Sequence, residues 1–397
     1  MRFVPFIGIL IGCVVLLFVS PPVSALDDTS PTPADVGGNR SNPDMTFEAY
    51  QSLLDDAVAA GLPGVIMLVD APEHGRWTGA SGMRDVKGGI PMTPGDISRI
   101  GSVSKLFTAV SVMMLAEEGL IALDDPVVDY LPPEVVSEVG NAGIATIRQL
   151  LNHTSGIYNY TDNPMYTIAA VADPRRVWSM ETSLRYAAGK GAYSKPGDAF
   201  HYANTNYLLL GMIVEEVTGR HPAAVITERI IEPLGLEQTF YDPDNPEPEG
   251  VAEGYMYPFR CGFFIPTTHV SLGHYTPDGA VISSAGDLCE LLRALFSGDL
   301  LSPESFDEMQ TWVDVPEPEH GRNGYGLGLR RWDTPFGTGM GHSGGMPGYL
   351  AEAFSFPEHD VTYILLVNGS LGRVSKIVDE RLNAAAMEAI FTGEYDW

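Results

Sequence analysis

The chain has 397 residues, 45% hydrophobic and 19% charged. That allows one large domain or two intimate ones and excludes global disorder. Lys and Arg number 23 against 51 Asp and Glu, a formal net charge of −28, and so acidic a surface repels phosphate backbones and argues against nucleic acid as a partner.

In chain order, Met1 and Arg2 precede an apolar run from Phe3 to Val19, and Val23-Ser24-Ala25 supplies a small-x-small site. This is the layout of a signal peptide over 1–25, and it predicts a secreted, periplasmic or cell-surface protein. Left uncut, the same run would be a membrane anchor. Residues 26–45, rich in Asp, Pro, Ser and Thr, read as a flexible linker. From Thr46 to Ala60 the apolar positions Phe47, Tyr50, Leu53, Leu54, Ala57 and Val58 recur at helical spacing. Gly64–Val69 is a buried strand, and Arg76–Ser81 pairs with it. Ser102–Glu118 is a long apolar helix stopped by Gly119.

The segment from Asp124 to about Glu247 reads as helices and loops, clearest at Ile144–Leu151 and Tyr207–Val217. Gly326–Arg330, Tyr349–Phe356 and Val361–Asn368 have strand composition, and Val374–Phe391 is a closing amphipathic helix. The predicted fold class is α+β, with an antiparallel sheet flanked by terminal helices and a mostly helical inserted region. The catalytic domain is 46–397, with sheet parts near 46–100 and 280–397 and a helical part near 101–279.

Chemistry concentrates in three places. In Ser102-Val103-Ser104-Lys105, helical spacing puts Ser102 and Lys105 on one face. A Lys105 without its proton could take the Ser102 proton, and amides at the helix start suit an oxyanion. Standing alone, a serine there is ordinarily an N-cap. In Tyr202-Ala203-Asn204, an extended segment aims Tyr202 and Asn204 at one cleft. In His342-Ser343-Gly344-Gly345, His342 and Gly344 share a strand face, and glycine lets a ligand backbone come close. Such an edge could bind a peptide as an added strand.

The order SxxK, YxN, HxG changes the reading, together with "ISRIGSVSKLFTAV", "IRQLLNHTSGI", "FHYANTNYLLLGMIVEEVTG", "YGLGL" and "GHSGGMPGY". The sequence resembles the serine β-lactamase-like superfamily of penicillin-recognising hydrolases over about residues 47 to 370. Within it, the branch of D-alanyl-D-alanine carboxypeptidases and class C β-lactamases is the most similar. The resemblance implies a β-lactamase/transpeptidase-like fold and acyl transfer with no cofactor. Ser102 would be the acylated nucleophile, Lys105 its helper and Tyr202 a proton-transfer group. Asn204, His342 and Gly344 would bind substrate, and the backbone N–H groups of Ser102 and Gly345 would form the oxyanion hole. His342 stands where many relatives carry lysine, which weakens a pure β-lactamase assignment. YAN replaces the commoner YSN, and Ala203 should point away from the cleft. The implied substrate is a small peptide, a β-lactam or an ester.

Two rival readings compete. Gly341-His342-Ser343-Gly344-Gly345 satisfies the G-x-S-x-G pattern of an α/β-hydrolase, but Thr338-Gly339-Met340 is a poor strand to precede it and His359 is the only later histidine. The other is a penicillin- or peptide-binding sensor without turnover. A substrate carboxylate needs a cation, for which Arg330 and Arg331 are candidates and to which His342 could contribute. No HExxH or close ligand spacing indicates a metal. Cys261 and Cys289 are either bridged or free thiols. The Asn152-His153-Thr154 sequon is taken as structural, and Asp314–His320 as a solvated connection.

Overall fold

The computed structural model describes residues 43–241, 248–257, 264–268 and 276–397. The expected signal segment and Cys261 lie outside the described residues. Among the described residues, no helix is long and apolar enough to cross a membrane. The first helix is Pro43–Ala60, so the predicted linker overlaps it by three residues. Proline fits the first helical turn, where its missing N–H is not needed.

Both ends of the chain build one nine-stranded antiparallel sheet. The N-terminal strands are β1 (Gly64–Ala71), β2 (Gly75–Asp85) and β3 (Ile90–Pro91). Four short strands follow in chain order: β4 (Ser98–Arg99), β5 (Tyr255–Met256), β6 (Ile265–Pro266) and β7 (Ile282–Ser283), with β5 paired to β6 and β4 to β7. The C-terminal strands are β8 (Val313–Glu319), β9 (Arg322–Tyr325), β10 (Arg330–Thr334), β11 (Gly337–Met346), β12 (Tyr349–Phe356) and β13 (Val361–Val367), then β14 (Gly369–Ser370). The order is β3-β2-β1-β13-β12-β11-β10-β9-β8, and the two halves meet at β1 and β13, with Val65 opposite Val367.

Every position of β1 and β13 is buried, because the sheet is covered on both faces. Period-two alternation divides these strands between two cores. Ile66, Leu68, Ile364 and Leu366 join the helical block. Val65, Met67, Val69, Tyr363, Leu365 and Val367 face the terminal helices, where Leu53, Leu54 and Ala57 meet Leu382, Ala386 and Met387. Fully burying a leucine side chain contributes about 1.5–3 kcal/mol, so this second core holds together segments more than 300 positions apart.

The differences from the sequence reading have local causes. The predicted Gly326–Arg330 strand is a turn between β9 and β10: Gly328 has a φ of +87°, which halts a strand, and the Gly326 amide donates to Leu329 O at 2.8 Å. Asp314–His320 overlaps edge strand β8. Its prolines do not prevent pairing on one side. Thr338-Gly339-Met340 lies in β11, because neighbouring strands supply the packing that its glycines lack. The predicted Ile144 helix starts at Ile147, where the Thr146 and Gln149 side chains cap it reciprocally. The 101–279 part also contains β5 and β6, so it is not purely helical.

Candidate active site

The site forms where the sheet meets the helical block. β4 pairs with β7, setting Ser98 opposite Ser283. One tight turn, Gly101–Val103, leads into the helix Ser104–Glu117. Gly101 has a φ of +51°. A Cβ on Gly101 would stand 3.1 Å from Gly345 N, and one on Gly344 would stand 1.9 Å from Ile100 O. Glycine at both places lets β11 lie directly against the turn that carries Ser102. The Ser102 and Gly345 amides are thereby brought to the same spot.

Lys105 is fully buried. Its Nζ lies 3.0 Å from Ser102 Oγ, 2.8 Å from Asn204 Oδ1 and 2.8 Å from the Asp278 carbonyl. The 277–281 segment is pinned to the same helix: Thr108 Oγ1 donates to Pro277 O, and the Val281 amide donates to Ser104 Oγ. Asn204 opens the helix Asn204–Thr218, and its amide donates to Asn159 Oδ1 at 3.0 Å. The Tyr202 ring centroid is 5.1 Å from Lys105 Nζ. Its hydroxyl is buried and has no hydrogen-bond partner among the described residues. Ser102, Lys105, Tyr202 and Asn204 are therefore brought together as the sequence reading expected. Ala203 is buried and faces away from the cleft, donating its amide to His153 Nδ1 at 3.2 Å.

A cavity of about 220 Å³ opens beside Ser102 and Tyr202, bounded by Gly344 and Gly345 and further out by Arg330 and Ser343. β10 pairs β11 only as far as Arg330 opposite Gly341. Beyond that point β11 pairs with β12 alone among the described residues, and Ser343–Gly345 borders the cavity. The Arg330 guanidinium sits 5.2 Å from the Tyr202 ring centroid and 5.7 Å from that of Tyr325. No carboxylate pairs with it among the described residues. Arg331 points elsewhere, donating to Asn323 at 3.1 Å and lying over Trp312.

His342 does not line this cavity. It is fully buried, with Nε2 2.9 Å from the Tyr325 hydroxyl and Nδ1 2.6 Å from Ser343 O. Burial, then the nearby Arg330 and Lys105 charges, hold its pKa well below the imidazole range. The cation expected of His342 is thus not found there, whereas Arg330 lines the cavity. His342 and Gly344 do share one strand face, as the alternation implied.

The α/β-hydrolase reading fails on geometry. Gly341–Gly345 lies inside strand β11, whereas a nucleophile elbow needs a sharp strand-to-helix turn. Ser343 Oγ has no hydrogen-bond partner. The sequon is also structural. Asn152 is buried and its Oδ1 accepts from the amide and hydroxyl of Thr154. Cys289 is a free buried thiol against Asp70.

The family model described as Beta-lactamase matches residues 50–388. Penicillin-binding protein 4* of Bacillus subtilis (strain 168) is 29% identical over 290 residues, covering 70% of this chain and 62% of that protein. The chain thus spans less than two thirds of that relative's length. A D-stereospecific amidohydrolase from Streptomyces sp. superposes with a TM-score of 0.72 at 32% identity, over 85% of this chain and 98% of the other. D-amino acid amidase from Ochrobactrum anthropi SV3, complexed with L-phenylalanine amide, gives 0.78 at 26% identity over 88% and 99%. The fold and site thus have the architecture shared by β-lactamases and penicillin-binding proteins. The chain belongs to the Beta-lactamase family.

Proposed function

We propose that the protein is an exported carboxypeptidase-like peptidase. It would release a D-amino acid from the C-terminus of a short peptide through a Ser102 acyl-enzyme. The Arg330 guanidinium carries this reading: it lies in the cavity that holds Ser102 and has no carboxylate partner among the described residues. A cation so placed suits the carboxylate of a leaving residue. The D-specificity and amide chemistry printed for the structural relatives support the substrate class. Export rests on residues 1–25, outside the described residues.

The hydrogen bonds suit general-base catalysis. A neutral Lys105 amine has two N–H groups, for which the Asn204 and Asp278 carbonyls are acceptors. Its lone pair then faces Ser102 Oγ and takes the proton as the serine attacks. The carbonyl oxygen becomes an oxyanion held by the Ser102 and Gly345 amides. The Tyr202 hydroxyl at the cavity wall passes a proton to the departing amine and is replenished by the proton that Lys105 took, which returns both groups to their starting states. Water then hydrolyses the ester. The Ser343–Gly345 stretch of β11 binds the acyl portion as an added strand.

Intact-mass spectrometry with a fluorescent penicillin tests the nucleophile. Wild type gains an adduct and Ser102→Ala does not. A stable adduct supports a carboxypeptidase, whereas rapid drug turnover would make it a β-lactamase. Stable acylation without hydrolysis of any peptide or ester would instead indicate a sensor. A peptide ending in a free D-residue, compared with its C-terminal amide, tests Arg330. Arg330→Met should raise KM on the order of 10-fold or more for the acid and little for the amide. Equal effects on both would sink the assignment and favour an amidase or esterase.

A further inference from the structure

We propose that His153, outside the reacting set, is a positioning residue: through an unprotonated Nδ1 it accepts the Ala203 amide and so fixes where Tyr202 and Asn204 stand relative to Ser102 and Lys105. The inference rests on the Ser102 acylation reading above and adds a residue to it.

The geometry is specific. His153 follows the helix Ile147–Leu151 and adopts a left-handed φ of +60°, an uncommon state for a residue with a Cβ. That turn directs the ring inward, where it is fully buried. Nδ1 lies 3.2 Å from the Ala203 amide and 3.0 Å from Asn206 Nδ2. A backbone N–H can only donate, so Nδ1 accepts and the proton of the neutral ring is on Nε2. The backbone contributes as well, since His153 O accepts from the His201 amide at 2.9 Å. One residue thus holds the segment on both sides of Tyr202, at His201 and at Ala203.

The ring also forms a wall. Its centroid is 4.3 Å from that of Tyr202, 4.7 Å from Tyr325 and 5.3 Å from Tyr207. Tyr202 is therefore clamped through its backbone neighbour and through its ring face. Burial first, then the neighbouring Lys105, His342 and Arg330 groups, oppose protonation of the imidazole. The acceptor state of Nδ1 is consistent with that field.

Two variants of the full chain separate positioning from packing. His153→Phe keeps a ring among the tyrosines and removes the acceptor. His153→Asn returns an acceptor near the place of Nδ1. Acylation by fluorescent penicillin and p-nitrophenyl acetate is followed with pH, alongside thermal melts. His153→Phe should slow acylation on the order of 10- to 100-fold, with KM within about threefold of wild type. The pH profile of its acylation should also shift from that of wild type. His153→Asn should recover most of the rate. An unaffected rate, equal losses in both variants, or a loss confined to KM would overturn the proposal. If neither variant folds, nitrogen-15 spectra of the wild-type imidazole decide, and a protonated Nδ1 overturns it. A wild type with no Ser102 adduct overturns the acylation reading, and the proposal with it. A normal wild-type adduct with an unaffected His153→Phe removes the proposal alone.

Discussion

Lys105 is buried, yet its partners are a hydroxyl, a side-chain amide and a backbone carbonyl, not a carboxylate. Lys105→Ala should slow acylation on the order of 10²- to 10⁴-fold. It should also cost about 1–3 kcal/mol by leaving the Asn204 and Asp278 carbonyls unsatisfied. An acylation rate near wild type would end the general-base role. His342 supplies a pH prediction. Burial, Arg330 and Lys105 depress its folded pKa below the usual 6.5. In acid the unfolded chain binds a proton that the folded state refuses, so the contribution is full above about 6.5 and is lost as pH falls toward the folded value. Melting temperature should drop across that window, and less steeply in His342→Gln. Parallel curves would show that His342 does not titrate in this way. For Cys289, burial raises the thiol to about 12, so alkylation in the native state, mapped by peptide, should spare it. Labelling at Cys289 before unfolding would contradict the packing.

At the scale of elements, the glycines of β11 and of the turn before β10 decide where the nucleophile stands. Gly344→Ala puts a methyl 1.9 Å from Ile100 O, and backbone, unlike a flexible side chain, has little room to yield. The variant should fold with a loss of about 1–3 kcal/mol and should lose acylation out of proportion, because the Ser102 turn is what must move. Wild-type kinetics would show that β11 is not seated as described. Gly328 combines a φ of +87° with an added Cβ 2.3 Å from Ala109 Cβ, on the helix that carries Lys105. The mostly apolar strands β1, β12 and β13 were legible in the sequence, because burial on both faces leaves little else for them to be. β8 was not, and β11 only around His342 and Gly344, since the prolines of the one and the Gly337–Gly341 stretch of the other read as loop and only their neighbours make them strands. The three motifs were legible as separate clusters. Arg330 was a bare candidate, chosen over Arg331 only by the β10 register, and His153 sat in a quoted stretch with no chemistry visible in it.

For the whole molecule, a net charge of −28 means that the folded chain repels itself. Raising salt shortens the Debye length from about 10 Å at 0.1 M to about 3 Å at 1 M. The melting temperature should therefore rise with sodium chloride. A fall would mean that ion pairs such as Arg76–Asp70 and Arg84–Asp96 outweigh the repulsion. The second core ties the first described helix to the last, so Leu53→Ala should cost about 2–5 kcal/mol although it lies far from the site. Its kcat should be unchanged while the protein is folded.

The order of the motifs, the alternation of the buried strands and the helical spacing of Ser102 and Lys105 are local properties, and the sequence by itself determined them. Local spacing cannot say which loop closes on which strand, because that depends on the pairing of segments hundreds of residues apart. Tertiary structure alone set β11 against the Ser102 turn, turned His342 toward Tyr325, put Arg330 in the cavity and drew His153 under Tyr202. Each of these positions is a compromise among packing, hydrogen bonding and desolvation that exists only once the sheet has closed.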